Sequence, residues 1–185
     1  MTTTAADPLI PLPRRTSADT EGDSGRVLGK LEESGQIMKI HGVLANSSSV
    51  FRPFMLLASA LMTKTPFPAY EREVVILRMA ARRGVAYEWG EHVALSAKAG
   101  VDDAARENLA KGDGADLTLL SAGARLAVEV ADQVVDHHRL DPAVWDRAVA
   151  EWGEEASLDL VFVIAWWGGF VPLVIEALGL RDPHS

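Results

Sequence analysis

Apolar residues recur along this chain at helical spacing. From about Leu28 onward, nearly every segment carries them three or four positions apart, and no stretch alternates convincingly at a period of two. The pattern predicts an all-α fold class with eight helices. Their expected ranges are 29–45, 51–64, 69–83, 86–99, 102–111, 117–138, 142–152 and 155–179.

Local signals support several of these helix ends. Gly100 is followed closely by Asp102, which is the order of a C-terminal glycine and then an acidic first turn. Asp141 precedes Pro142, so a capping residue stands before a proline at the first helical position. These residues predict breaks on both sides of the 102–138 region.

The chain divides into a short N-terminal segment and one domain. Residues 1–28 are rich in Thr, Ser, Pro and Asp and lack helical periodicity, which predicts a flexible tail or arm. Residues 29–185 are expected to form one helical domain. A length of 185 residues with 48% hydrophobic content suits a single domain with a sizeable core.

Two segments are apolar enough to be central. The helix 69–83 is apolar on most of its circumference, so we expect neighbouring helices to surround it. The run 160–175 contains no charged residue but includes Gly168, Gly169 and Pro172. A membrane span is the alternative interpretation, yet a spanning helix needs about 20 apolar residues. We therefore expect a buried bundle helix and no membrane insertion.

Composition removes several classes of function. The chain has 26 acidic and 18 basic residues and no block of Lys or Arg, which argues against nucleic acid as a partner. It contains no cysteine, so disulfides, thiolate metal sites and thiol redox chemistry are not expected. Residues 1–23 lack the apolar core of a signal peptide, and we expect a cytoplasmic protein.

One helix carries a pair of side chains suited to proton transfer. Glu88 and His92 lie one helical turn apart on one face of the helix 86–99, flanked by Tyr87 and Trp89. Histidine has the side-chain pKa nearest to neutrality, and a neighbouring carboxylate can orient its ring. The alternative is a solvated surface pair that contributes a few tenths of a kcal/mol.

A second carboxylate precedes this pair in the chain. Glu73 lies one turn before Ile76 and Leu77, at the edge of their apolar stripe or within it. It is also interpretable as a first-turn acid that interacts favourably with the helix dipole. One histidine with acids on a single turn supplies too few converging ligands for a metal site. The sequence contains no nucleotide-binding fingerprint or phosphate loop, which agrees with a mechanism that needs no cofactor.

The segment 71–101, EREVVILRMAARRGVAYEWGEHVALSAKAGV, resembles the signature of the carboxymuconolactone decarboxylase family. Members of that family, within the alkylhydroperoxidase-D-like superfamily, read close to RELAILRVA, then YEW, two residues, His, and an AG turn. A weaker similarity extends over about 44–180. The resemblance implies an alkylhydroperoxidase-D-like helical bundle that assembles as a homo-oligomer, a trimer or a hexamer built from trimers.

The peroxidase branch of the superfamily has a Glu, a CxxC pair, and a His four residues after the second Cys. On that pattern Glu73 matches the Glu and His92 the His, whereas Val85 and Glu88 occupy the cysteine positions. The resemblance therefore implies a site that keeps the Glu and the His without the two thiols. We expect no thiol peroxidase activity.

The last helix departs from the family in a second respect. Relatives usually carry a Tyr near its middle, and ungapped alignment back from the ending ALGL places Gly168 at that position. The loss of a phenol could open the pocket, with Trp166 and Trp167 reshaping its wall. Alternatively, the WWGG sequence merely lets two helices approach closely.

The decarboxylase branch acts on a lactone carboxylate without a metal or organic cofactor. The resemblance thus implies a cofactor-independent lyase acting on a small carboxylated lactone or keto acid. His92 would be the acid, Glu73 or Glu88 would orient it, and Tyr87 would donate a hydrogen bond to an enolate. The expected substrate-binding residues are Tyr87, Trp89, Trp166, Trp167 and Gly168.

Two other functions remain open at this stage. The same Glu/His pair could serve a cofactor-free isomerase, cyclase or lactone hydrolase acting on a bulkier apolar substrate. A ligand-binding or assembly protein could also keep the fold without catalysis.

Overall fold

The computed structural model describes residues 12–180, and no strand occurs within that range. The all-α fold class is confirmed. Short 3₁₀ turns lie at Gly112–Gly114 and Leu117–Leu119, and a π-helical turn, Trp166–Phe170, joins the last two helices. The helices are α1 (Gly22–Glu33), α2 (Lys39–Leu44), α3 (Phe51–Thr63), α4 (Ala69–Arg83), α5 (Ala86–Lys98), α6 (Asp103–Leu109), α7 (Ala122–His137), α8 (Pro142–Ala165) and α9 (Val171–Leu178).

Helix α4 is the centre of the bundle. It packs against α5, α6, α7, α8 and the π-turn, and every residue from 72 to 80 is buried. The expectation that neighbouring helices surround it is confirmed. Three of the buried residues, Arg72, Glu73 and Arg78, are charged. Each of them therefore needs a partner inside the protein, because an isolated buried charge is strongly unfavourable.

The turn between α4 and α5 brings those two helices together. Gly84 adopts a left-handed conformation with φ of 67°, which is accessible to glycine at little cost. Its N–H donates to Ala81 O, and the N–H of Val85 donates to Ala80 O. These bonds close the end of α4, so that α5 folds back along it.

Arginines near the C-terminal end of α4 connect it to α7. Arg78 makes two bonds to Asp132, at 3.3 and 3.0 Å, and a third to the carbonyl of Gly112. Arg82 contacts Asp132 at 3.0 Å and Asp136 at 3.1 Å. The paired carboxylates compensate the buried cation of Arg78 and hold α4 and α7 at a fixed offset.

The N-terminal part differs from the prediction. The single helix expected over 29–45 is wrong: α1 ends at Glu33, the chain turns at Gly35 with φ of 67°, and α2 begins at Lys39. Helix α1 begins within the segment expected to be a tail, and Leu28 is fully buried. The expected tail is described only from residue 12, and residues 1–11 lie outside the described range.

The apolar C-terminal helices form a long, interrupted rod. Gly153 has φ 84° and ψ 166°, so the helical conformation breaks there, as the predicted ranges 142–152 and 155–179 require. The stretch Pro142–Leu178 has an 18-residue window with a mean hydropathy of 2.0, which is apolar enough to cross a membrane. Half of that window is buried inside the protein.

Candidate active site

Glu73 and His92 meet in the core between α4 and α5. His92 Nδ1 lies 2.9 Å from Glu73 Oε2, and the two residues are 5% and 1% exposed. The predicted approach to hydrogen-bonding distance is confirmed, and the Gly84 turn explains it. An ionised carboxylate only accepts hydrogen bonds, so Nδ1 carries the proton when Glu73 is ionised. The second ring nitrogen, Nε2, is then left for other contacts.

Arg72 adds a buried cation beside this pair. Its Nε atom lies 3.5 Å from Glu73 Oε1, the carboxylate oxygen that does not contact His92. The guanidinium of Arg72, the carboxylate of Glu73 and the imidazole of His92 therefore form a row of contacts within the core. The sequence interpretation did not include Arg72. The sequence did contain a signal for it, because Arg72 is a charged residue next to Glu73 on a helix that was expected to be buried.

Glu88 is buried without a comparable partner. It is 2% exposed, and neither carboxyl oxygen has a hydrogen-bond partner among residues 12–180. Burial raises the pKa of Glu88 well above its ordinary value, and the positive charge of Arg83 opposes this only in part. The alternative interpretation of Glu88 and His92 as a solvated surface pair is therefore excluded, because both side chains lie inside the protein.

The π-turn provides the aromatic neighbour of His92. The rings of Trp167 and His92 are 5.7 Å apart and meet edge to face at 84°. The ring of Trp166 lies instead 4.7 Å from that of Phe54 and 5.1 Å from that of Phe170. Of the two tryptophans expected to line the site, the structure thus brings Trp167 to His92, whereas Trp166 packs behind Trp167, at 6.5 Å, and reaches Phe54 and Phe170.

Gly168 lies against α4 rather than beside the imidazole. A Cβ at this position would come within 2.5 Å of Met79 Sδ and 3.1 Å of Val135 Cγ2. Real Cβ contacts are essentially never that short, so the space beside Gly168 is already filled. The glycine therefore permits close approach of the π-turn to α4.

Tyr87 and Trp89 have partners elsewhere. The hydroxyl of Tyr87 accepts a hydrogen bond of 3.0 Å from the N–H of Ile40 and also bonds to Glu91. Burial raises the pKa of this phenol, so it remains protonated. Trp89 packs against a second hydrophobic cluster that includes Val74 and Leu77. The structure therefore does not place either aromatic side chain against His92.

A cleft of about 360 Å³ opens on the surface where α4 ends beside α7. The lining residues are Met79, Arg82, Arg83, Asp113, Val135 and Asp136. Arg83 is common to the cleft and the site: it lines the cleft, and its positive charge opposes the rise in the pKa of Glu88. Glu73, Glu88 and His92 do not line this cleft. No group of three or more His, Asp or Glu side chains in the described range is arranged to hold a metal ion.

Two solved structures share this architecture. The first is an uncharacterized peroxidase-related protein from Ralstonia eutropha JMP134, described as an alkylhydroperoxidase AhpD core. It has a TM-score of 0.77 and 22% identity, over 96% of this chain and 94% of that one. The second, an uncharacterized peroxidase-related protein from Silicibacter sp. TM1040, has a TM-score of 0.78 and 16% identity, over 96% and 93%.

The class defined by these likenesses is the alkylhydroperoxidase-D-like helical fold, and this part of the prediction is confirmed. No protein-family model matches the chain, and no curated protein matches it. Similarity at these identities establishes the fold alone, because one fold can host several activities. Membership of the carboxymuconolactone decarboxylase family stays a prediction.

Proposed function

We propose that this protein is a cofactor-independent lyase of the decarboxylase type, acting on a small carboxylated lactone or keto acid. The observation that carries the proposal is the buried hydrogen bond of 2.9 Å between His92 Nδ1 and Glu73 Oε2. A carboxylate that fixes one imidazole nitrogen leaves the other oriented for proton transfer, which is the geometry of a general acid/base.

The proposed reaction separates bond cleavage from protonation. When carbon dioxide leaves, the electron pair of the broken C–C bond passes into the substrate and is delocalised onto its carbonyl oxygen. His92, in its protonated form, then delivers a proton to the carbon and recovers one from solvent. Trp167, beside the imidazole, would exclude water from the reacting carbon.

An isomerase, cyclase or lactone hydrolase is the second candidate. It would use the same Glu73/His92 pair on a bulkier, less polar substrate, with the apolar ring of Trp167 beside the imidazole. Such an enzyme would transfer protons without releasing carbon dioxide. The two candidates therefore share a site and differ in their product.

The test is a panel of carboxylated lactones and 2- and 3-oxo acids incubated with the full chain in deuterated water. Decarboxylation is expected to release carbon dioxide and to place deuterium at the carbon that loses it. Deuterium incorporation without carbon dioxide would favour the isomerase. If neither signal exceeds that of a His92→Ala control with any compound of the panel, the proposed lyase activity on these substrate classes is wrong.

We expect no thiol-dependent peroxidase activity. The chain has no cysteine, and Val85 and Glu88 occupy the positions where the resemblance places the two thiols. A dithiol mechanism therefore has neither an attacking nor a resolving sulfur. Hydroperoxide consumption is measured with dithiothreitol and with a protein dithiol as the donor. Turnover above the rate without enzyme would contradict this expectation.

We also propose that the protein assembles as a homo-oligomer, a trimer or a hexamer built from two trimers. Four apolar side chains at helical spacing along α8, the π-turn and α9 are exposed: Leu158, Phe162, Phe170 and Leu173, at 49%, 51%, 47% and 68%. Several large apolar side chains exposed along one pair of helices are typical of an interface between subunits.

Light scattering is expected to give three or six times the chain mass of 19.9 kDa. Phe162→Glu should dissociate the assembly, since it would bury a charge in the interface. Leu119→Glu is the matched control, because Leu119 is 69% exposed on a 3₁₀ turn away from these helices. A wild-type monomer at micromolar concentration would contradict the proposal.

A further inference from the structure

Two buried glutamates of the site have opposite surroundings. Glu73 contacts His92 at 2.9 Å and has the guanidinium of Arg72 at 3.5 Å. Glu88 is buried to the same degree, but neither of its oxygens has a hydrogen-bond partner in the described part of the chain. Paired carboxyl groups in contrasting environments commonly divide the acid and base roles of one site.

An ionised Glu88 would be strongly unfavourable at this position. A carboxylate removed from water without a paired cation or hydrogen-bond donor is neutralised by taking up a proton. The charged or titratable groups near it are Arg83, from the end of α4, and His92, one turn along its own helix. Arg83 favours ionisation, but its effect is smaller than that of burial. The balance therefore favours the neutral acid.

A neutral carboxyl can do what a carboxylate cannot, because it has an O–H to donate. Donors placed where negative charge develops are among the strongest sources of catalytic stabilisation. Glu88 also lies one helical turn from His92, on the same face of α5. A substrate whose carbon faces the imidazole could thus present an adjacent oxygen to this carboxyl.

We propose that Glu88 is a proton-bearing carboxyl at rest and donates a hydrogen bond to the enolate oxygen of the substrate. This inference rests on the proposed function and restricts the substrate to compounds whose carbanion is delocalised onto a carbonyl oxygen. Glu88 keeps its proton throughout, while the carbon receives the proton of His92. The roles are thereby divided, with Glu88 at oxygen and His92 at carbon.

Infrared spectroscopy of the full chain at pH 7 tests the protonation directly. Exposed carboxyl groups are ionised at this pH, so the carbonyl band of a protonated carboxylic acid reports a buried one. The band is expected in the wild type, absent in Glu88→Gln and unchanged in Glu154→Gln, a control at an exposed position of α8. A band that is missing from the wild type, or that persists in Glu88→Gln, overturns the proposal.

The donor role is tested with 4-nitrophenol, whose phenolate mimics an enolate oxygen. Wild type is expected to bind the phenolate, and Glu88→Leu to bind it about 10- to 100-fold more weakly, as for loss of one hydrogen bond to a charged group. Glu154→Gln should bind like the wild type. If the wild type does not bind the phenolate, or if Glu88→Leu binds it equally well, the donor role is wrong.

Thermal unfolding separates this role from a purely structural one. Glu88→Leu removes a buried group without partners, so it is expected to unfold at a temperature equal to or above that of the wild type. Marked destabilisation would mean that the carboxyl has a structural partner and would contradict the proposal. The protein could show the infrared band and bind the phenolate, yet release no carbon dioxide from any acid of the panel. That result would contradict the decarboxylase function alone.

Discussion

His92→Ala is expected to reduce turnover about 10²–10⁴-fold, the range that a general acid/base typically supplies. The imidazole is held by Glu73 at 2.9 Å and faces Trp167, and the substitution removes the group that delivers the proton to carbon. Removal of the ring also leaves Glu73 without its closest donor. We therefore expect a stability loss of about 1–3 kcal/mol, with the bundle still folded.

Steady-state kinetics on the substrate found in the panel, together with circular dichroism, checks this result. His92→Gln is the companion variant, because its amide can still donate to Glu73 but cannot transfer a proton near neutral pH. It should regain stability without regaining turnover. Glu73→Gln should reduce the rate less than His92→Ala, since the amide keeps the size of the side chain but lacks the charge that orients the ring.

Two results would contradict the assignment in different ways. A folded His92→Ala protein with undiminished turnover would remove His92 from the mechanism. If both His92 variants unfold while Glu73→Gln remains folded and fully active, His92 is a buried structural residue.

Gly168→Tyr is expected to lower the free energy of unfolding by at least about 3 kcal/mol or to prevent folding. Overpacking by a few methylene groups typically costs about 1–3 kcal/mol, and a phenol is larger. At this position even a Cβ would approach Met79 Sδ to 2.5 Å. Met79 is flexible, but Val135 closes the other side at 3.1 Å. Chemical denaturation measures the difference.

Trp167→Tyr is the matched variant, since it places the same phenol one residue earlier. Its ring would lie toward His92, where Trp167 already fills a larger volume. We expect this variant to fold, with a loss of a few kcal/mol at most from the smaller ring. If Gly168→Tyr were as stable as the wild type, the tight packing described for the π-turn would be incorrect.

The central part of the fold was predictable from local rules. Helix α4 was expected at 69–83 and is found there, because its apolar circumference and the following Gly84 define both its burial and its end. The same turn explains why Glu73 and His92, nineteen positions apart in the chain, meet at hydrogen-bonding distance. Periodicity and a single glycine predicted the helices and the turn, whereas the choice of Glu73 as the partner of His92 came from the family resemblance.

The aromatic surroundings of the site were not predictable in the same way. Alignment without a gap assumes an α-helical register, whereas the segment Trp166–Phe170 forms a π-turn, which holds more residues per turn than an α-helix. Within this turn Trp167 faces the imidazole, and Gly168 lies against Met79 and Val135. The Tyr87 bond to Ile40 joins helices 47 positions apart, and no local pattern reports such a contact.

The arginine network at the end of α4 bears on the precision of the site two turns away. A helix that slips by one residue moves about 1.5 Å along its axis and rotates about 100°. Arg78 is clamped between Asp132 and the carbonyl of Gly112, so such a slip would break three bonds at once. The network thus fixes the position of α4, along and about its own axis, relative to α7. Its removal is expected to broaden the distribution of Glu73–His92 distances before it unfolds the bundle.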